Sequence, residues 1–368
     1  MDAVDAVLAE ASAEGFRVRA ARTMEIPAPL VTRLRRLAIP GACMEAASDP
    51  IDELGELDGL VGELFADAAL GLLAAEGLEG GDIRALGSHG QTLRHRPRAS
   101  RPFTLQIGDP NIIAARTGIP VVADFRRRDM ALGGQGAPLV PAFHAAIFAD
   151  PAECRAVLNL GGVANLTVLA PGEPVTGFDT GPANGLMDAW SRRHLGRPFD
   201  EDGAWAATGR ICAPLLDVLL THPFLALAPP KSTGPEDFSP AWLDAAVACV
   251  DPSPAGDVQA TLCEFTAVTV ANALAERSPQ RLIVCGGGVH NRELLSRLAA
   301  RLPGTRIESS AVHAIDPDQV EAAAFAWLAA RTLAGLAGNL PTVTGAARPA
   351  VLGAVWPGEP RCDPWQAQ

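Results

Sequence analysis

An α/β protein of two unequal halves is what the sequence predicts, and three observations carry that expectation. The chain has 368 residues, more than one core ordinarily serves, so two domains with a ligand cleft between them are expected. Residues 155–184 spell a strand, a diglycine turn, a returning strand and a third strand ending in Asp179, with a helix beginning at Asn184. Further on, Arg281-Leu-Ile-Val-Cys reads as a buried strand that runs into Gly286-Gly287-Gly288 and a helix from Asn291.

Taken in order, residues 3–10 and 16–26 have strand character and join through Glu14-Gly15. From Asp52 to Gly77, Leu54, Leu57, Leu60 and Leu64 fall on one face of an amphipathic helix. Ile83–Gly87 is a short strand leading into Ser-His-Gly-Gln-Thr. Asp109-Pro110 opens a helix, the aspartate as cap and the proline where a missing N–H costs little. Ile119 to Phe125, apolar and β-branched, reads as a buried parallel strand. In the second half 155–160, 165–169 and 175–179 are strands, and a helix of about fifteen residues follows from Asn184. A long apolar helix spans Val258–Glu276, Thr305–Ser309 is a strand, and Asp316-Pro317 opens a helix through Arg331. The repetition is topological, without a sequence repeat. It divides the chain into 1–125 plus about 335–368 and 126–334. Three strands precede the first helix of the second half but only two that of the first, so the first half is expected to lack its opening strand.

A net charge of −12 with scattered arginines argues against nucleic acid as a partner. The seven cysteines form no CxxC pair and read as free, buried thiols of a reducing compartment. No apolar run reaches the length of a bilayer span and no leader pattern opens the sequence, so no membrane partner and a cytoplasmic location are expected. Lys231 is the only lysine among 30 lysines and arginines. Either a compact ammonium is needed there, or biased composition has left one lysine by chance.

A P-loop or dinucleotide-binding loop passes from strand directly into helix; here the chain returns as a second strand. A glycine-tipped hairpin presents backbone N–H groups to a phosphate without a helix dipole. Asn159, Gly161, Gly162 and Asn165 are therefore candidates for the phosphates; otherwise they form a tight hairpin with asparagines at unusual backbone angles. Gly286, Gly287 and Gly288 would let backbone approach a base or ribose, or simply let helix and strand pack closely. His89, Gln91 and Thr92 follow one buried strand, and Asp124, Arg126 and Asp129 follow the next, where α/β loops meet ligands.

In this order and at these intervals the motifs Gly87-Ser-His-Gly-Gln-Thr92, Gln106-Ile-Gly-Asp109, Ala123-Asp-Phe-Arg-Arg-Arg-Asp129, Gly133-Gly-Gln-Gly-Ala-Pro138, Asn159-Leu-Gly-Gly-Val-Ala-Asn165, Phe178-Asp-Thr-Gly-Pro-Ala-Asn184, Lys231-Ser-Thr-Gly234 and Gly286-Gly-Gly-Val-His-Asn291 are highly specific. Over nearly its whole length the chain resembles the anhydro-N-acetylmuramic acid kinases of peptidoglycan recycling, within the actin-like ATPase superfamily. The resemblance implies two RNase H-like domains flanking a nucleotide and substrate cleft. It implies ATP and Mg²⁺ as cofactors and a small sugar as substrate, and it allows a homodimer. The reaction it implies is one in which water opens the 1,6-anhydro bridge at C1 while O6 takes the γ-phosphoryl group, giving N-acetylmuramic acid 6-phosphate and ADP. Asp179 stands at the family's base position, although the same carboxylate could cap the Thr180-Gly181 turn. Asp2 and Asn291 fall to the nucleotide side, and an arginine such as Arg126 suits the lactyl carboxylate, unless Arg126 to Arg128 simply form a solvated turn. Glu321 resembles a glutamate near the sugar, or else favours its helix dipole from the first turn.

Family members begin with a strand and a Met-Ser-Gly-Thr-Ser loop, whereas this sequence enters the motif at Met1-Asp-Ala-Val-Asp5. The expectation is a working protein longer by roughly one strand and its loop, since strands run about five or six residues. A chain truly ending there would be a poor kinase. Two readings compete: another sugar or carboxylate kinase of the superfamily, told apart by its acceptor, and an ATP-binding pseudoenzyme, which the lost loop favours and the intact Asp179 opposes. A redox protein built on the triglycine is more distant, since no acid ends a following strand where a ribose would need it.

Overall fold

Alternating side chains in Ala3–Ser12 (β1) and Gly15–Glu25 (β2) pair as an antiparallel ladder from Ala3↔Glu25 to Ser12↔Gly15. The computed structural model describes residues 3–12, 15–38, 49–234 and 237–359. After β2 come Ala28–Ala38 (α1) and Pro50–Glu76 (α2). The second is sharply bounded: Asp49 accepts from the Ile51 N–H, Pro50 fills the first position, and Gly77 ends it left-handed. Leu34, Leu57 and Val61 from these helices bury with Leu93 and Ile107.

Next stand Leu86–Gly87 (β3), Gln91–Arg96 (β4), Phe103–Ile107 (β5), Pro110–Thr117 (α3), Val121–Ala123 (β6), Arg127–Ala131 (α4) and Val140–Phe148 (α5). The β4–β5 hairpin was not among the expected elements, because Arg94, His95 and Arg96 hide its alternation. As expected, Asp109 caps α3 by accepting from the Asn111 N–H. β3 lies parallel to β6.

The second half follows its expected order closely. Arg155–Leu160 (β7), Val163–Leu169 (β8) and Thr176–Pro182 (β9) form an antiparallel meander, and Asn184–Leu195 (α6) follows. Ala204–Thr208 (α7), Ala213–Leu220 (α8), Pro240–Ala248 (α9) and Ala255–Leu274 (α10) precede Arg281–Cys285 (β10), Arg292–Arg301 (α11) and Arg306–Ser309 (β11). β10 adds parallel to the far side of β7 and β11 parallel to β10, giving the order β11-β10-β7-β8-β9. A meander, a helix and then parallel strands laid beside the first is the RNase H-like plan. α10 is enclosed on all sides, and residues 258–270 are buried throughout. The chain then returns through Val320–Leu333 (α12), Pro341–Thr344 (α13) and Ala354–Trp356 (β12), which pairs antiparallel with β6. Among the described residues the early strands thus form separate sheets, β1-β2, β12-β6-β3 and β4-β5. No single helix among them is long and apolar enough to cross a membrane.

The chain divides into a first unit, Met1–Phe143 with Glu321–Gln368, and a second, His144–Val320. The expected boundaries at 125/126 and near 334/335 therefore move to 143/144 and 320/321. Packing explains the shift. Phe325 and Leu328 of α12 share a core with Val122, Phe125 and Leu139, and Asp129 bonds to Asn339 and Thr344.

His144, 1 % exposed, places Nδ1 2.9 Å from the Thr167 hydroxyl, and its Nε2 has no hydrogen-bond partner among the described residues. Burial alone pushes its pKa down to about 3. A depressed histidine is neutral when folded and takes a proton on unfolding, so stability is lost as pH falls below the ordinary value of 6.5. At pH 5 the loss amounts to about 2 kcal/mol. His144→Leu should start slightly less stable at pH 8 yet lose less on acidification, a difference that urea unfolding at both pH values will show.

Candidate active site

Four neighbouring strands of the second unit align one polar row. The register pairs Cys285 with Asn159, Asn159 with Asn165, and Asn165 with Asp179. Adjacent strands lie about 4.8 Å apart, so the row runs from the mouth of β10 to the edge strand β9. A register shift between Ala164 and Asn165 interrupts the β8–β9 ladder beside Asp179, and such irregularities often re-aim a side chain.

Asp179 is held from the free side of β9. Its N–H donates to the Lys231 carbonyl at 3.1 Å, and its Oδ2 accepts from the Thr233 N–H at 2.8 Å. Desolvation pushes its pKa up to about 6, against the Thr233 bond and the Lys231 charge, which both pull it down. One carboxylate oxygen is therefore held by the 231–233 segment, and an acid raised toward neutrality in this way suits a proton acceptor. Sequence reasoning singled out Lys231 without a role, and missed that residues 231–233 strap this edge. The unbroken polar run Lys-Ser-Thr-Gly was the available signal.

The Gly161-Gly162 corner is tied down through its carbonyls. Gly161 O accepts from the Asn184 N–H, and Gly162 O from those of Ala183 and Gly185, all at 3.0–3.1 Å. Asn184 Nδ2 also donates to Leu160 O at 2.8 Å. A Cβ added at Gly162 would meet nothing within 4 Å, so no packing demand explains the missing side chain there. The triglycine differs. A Cβ on Gly286, whose φ is +77°, would lie 2.4 Å from Asn159 Oδ1, and one on Gly288 would lie 2.5 Å from Leu160 Cβ. Close packing against β7 thus accounts for glycine at 286 and 288, whereas a Cβ added at Gly287 would have Asn184 Nδ2, at 4.0 Å, as its nearest neighbour. Asn291 Oδ1 caps α11 by accepting from the Leu294 N–H at 2.9 Å.

In the first unit, Arg126 Nε donates to His89 Nε2 at 2.9 Å and Nη1 to the Gly136 carbonyl at 2.8 Å. Desolvation and the arginine charge hold His89 neutral, with a pKa of about 3, and the Phe325 ring stacks on it at 4.4 Å. Glu321, exposed in the first turn of α12, and Asp129 supply the negative charge that offsets the half-buried Arg126. Ser88, passed over in the sequence, is buried beside His89, and its hydroxyl has no hydrogen-bond partner among the described residues. Asp124, at φ 58°, faces Arg127 at 3.6 Å, and burial raises its pKa. The Thr92 hydroxyl accepts from Gln106 Nε2 at 3.1 Å, and Gln91 Nε2 donates to the Thr92 carbonyl at 3.2 Å, so both serve the β4–β5 hairpin.

Asp129 is the clearest correction. It is 0 % exposed; Oδ2 accepts from the Gly136 N–H, and Oδ1 from Asn339 Nδ2 and the Thr344 hydroxyl. With both oxygens committed inside the unit, it positions the loop that carries Gly136 and does not face substrate. Asp2 lies outside the described residues. Among those described, no three His, Cys, Asp or Glu side chains converge on a cation position. Nucleotide-bound Mg²⁺ ordinarily keeps waters and phosphate oxygens with one or two carboxylates, so the residues present are compatible with it.

Residues 1–358 match the family described as anhydro-N-acetylmuramic acid kinase. A protein of that name from Xanthomonas campestris pv. campestris (strain 8004) is 59% identical over 309 residues, 83% of this chain and 82% of that one. Another from Shewanella halifaxensis (strain HAW-EB4) is 49% identical over 362 residues, covering 98% and 96%. Among solved structures, a ROK family glucokinase from Streptomyces griseus in complex with glucose and AMPPNP is 14% identical with a TM-score of 0.38, covering 89% of this chain and 98% of that one.

Proposed function

This chain belongs to the anhydro-N-acetylmuramic acid kinase family, ATP-dependent sugar kinases, and from that premise we propose how its own residues perform the reaction. The substrate is 1,6-anhydro-N-acetylmuramic acid. Asp179 takes a proton from water as the water oxygen bonds to C1; the C1–O6 bond breaks, and O6 bonds to the γ-phosphorus as the bond to ADP breaks. The products are N-acetylmuramic acid 6-phosphate and ADP, and the water proton rests on Asp179 until it is released. The single observation behind this assignment is the Asp179 carboxylate, desolvated at a strand edge yet pinned through one oxygen by the Thr233 N–H.

Phosphoryl transfer asks mainly for positioning and charge neutralisation. With its carbonyls tied to the start of α6, the Gly161-Gly162 corner offers its N–H side to the phosphates, with Asn159 and Asn165 on the same row. Gly287 is the glycine of its loop with room for the nucleoside. Mg²⁺, when bound with the nucleotide, neutralises phosphate charge. His89 and Arg126 suit the sugar: neutral His89 fixes the guanidinium through Nε, and Nη2 is directed to the lactyl carboxylate. A substrate derived from wall turnover and a nucleotide co-substrate fit a cytoplasmic enzyme.

The assay that tests the proposal follows ADP release and a new reducing end together. Equal amounts are expected from the anhydro sugar, and none from open-chain N-acetylmuramic acid or acetate; phosphorylation of those acceptors instead would favour another kinase of the superfamily. Gly162→Ala supplies a second check. The added methyl meets no protein atom, so the melting temperature should hold within about 2 °C. The KM for ATP should rise about tenfold, as for a lost phosphate contact of about 1.4 kcal/mol.

A further inference from the structure

We propose that Lys231 is a positioning residue for Asp179: its buried ammonium anchors the 231–233 strap to the carbonyls of Phe224 and Leu225, so that the strap's main chain holds the edge of β9, and supplies the positive charge that keeps the carboxylate in its proton-accepting form. The inference rests on the reading of Asp179 as the base.

Three observations converge on it. Lys231 is only 8 % exposed, an unusual place for a lysine without a carboxylate in direct contact. Its Nζ donates to the carbonyls of Leu225 at 3.2 Å and Phe224 at 3.4 Å, and it lies 4.8 Å from the centre of the Phe224 ring. The backbone of the same segment holds Asp179 at both its N–H and its Oδ2. The side chain thus anchors the segment inward, while its main chain fixes the base.

The charge environment is sparse enough to give one ammonium weight. β8 opposes Asp179 with Asn165. α10 faces the end of β9 with Thr266, which donates to the Pro182 carbonyl, and Thr269, close to Gly181. Asp237, further along the strap, is taken by the Thr233 hydroxyl at 2.7 Å, and His222 packs on Phe238 and Trp242. Among the described residues Lys231 is the charged group that acts on Asp179, and Asp179 the one that acts on Lys231. A guanidinium in place of the ammonium would have to spread its planar fork over carbonyls that accept a point donor. That requirement accounts for a lysine here in a chain that uses arginine everywhere else.

The test is the pH dependence of kcat/KM for the anhydro sugar in Lys231→Met and Lys231→Arg, beside wild type and Asp179→Asn, with melting temperature and ATP affinity measured on each. Wild type should lose activity below about pH 6, following the carboxylate. Lys231→Met should move that limb up by about one pH unit, losing about fivefold relative to wild type at pH 6 and recovering to within threefold of it at pH 8.5, with ATP affinity unchanged. Lys231→Arg keeps a positive charge, so its limb should stay within about 0.3 unit of wild type even where kcat drops. A uniform loss at every pH in Lys231→Met, or an unmoved limb, overturns the proposal. If the methionine variant does not fold, the arginine variant decides: a retained limb supports the proposal, and a limb one unit higher despite the retained charge overturns it. An acid limb that persists in Asp179→Asn would overturn the assignment of the base itself, a different failure from an immobile limb in Lys231→Met.

Discussion

Asp179→Asn should cut kcat by about a thousandfold, the scale of a lost general base, while leaving ATP affinity unchanged and making the protein more stable. The last effect follows from the raised pKa of about 6. An acid whose folded value exceeds its unfolded one is bound to its proton more tightly in the native state. Above pH 6 the native protein therefore holds an ionised group that burial disfavours, and a neutral isostere relieves that cost. The expected gain is about 1–2 kcal/mol at pH 8, discounted because the new amide has no assigned acceptor. It should shrink as pH falls through 6 and vanish near 4, where wild type is itself protonated. Asparagine keeps an oxygen for the Thr233 N–H, so the strap stays in place. Parallel urea unfolding and single-turnover assays will show the trade. A variant that lost activity and stability together would make Asp179 a structural carboxylate, and would remove it from the chemistry.

What was legible in the sequence and what was not divides along the range of the interaction. α2 was readable because Leu54, Leu57, Leu60 and Leu64 repeat with the helical period and Gly77 stops it. The β7–β8–β9 meander was readable because β-branched runs alternate with glycine and proline turns, and that order placed Asp179 at the end of the third strand, where the structure sets it in the middle of Thr176–Pro182. Local signals fail where a cationic run covers an alternating one, as at β4, where Thr92-Leu93-Arg94-His95 carries the ladder to β5. They fail more completely for partners far apart in the chain. The 179–233 bond spans 54 residues and the 129–344 bond 215; nothing in either segment alone names the other. The triglycine shows a third limit. Glycine marks a position where a side chain will not fit, but sequence does not say whether protein or ligand fills the space. At Gly286 and Gly288 it is β7.

Asp129→Ala is expected to destabilise the first unit by about 3–5 kcal/mol, the usual result of emptying a buried and fully bonded carboxylate. Three donors would be stranded at once, the Gly136 N–H, Asn339 Nδ2 and the Thr344 hydroxyl. Asn339 also receives the Ala350 N–H at 2.7 Å, and Gln135 donates to the Thr344 carbonyl at 2.8 Å, so the damage reaches both segments that Asp129 joins. Asparagine would not rescue it, since its amide N–H groups would face donors; a loss of about 1–3 kcal/mol remains. Had Asp129 faced the sugar, alanine would raise KM and leave the unfolding midpoint alone. The structure orders events the other way. Asp129 fixes Gly136, whose carbonyl holds Arg126 Nη1, and Arg126 in turn holds His89. Substrate affinity should therefore fall only as far as the fold loosens, and cooling or a stabilising osmolyte should restore KM toward wild type. Arg126→Ala, by contrast, should keep a raised KM at every temperature at which it stays folded. Urea unfolding and KM measured side by side on the two variants at 10 °C and 30 °C separate a residue that builds the loop from one that reaches the ligand.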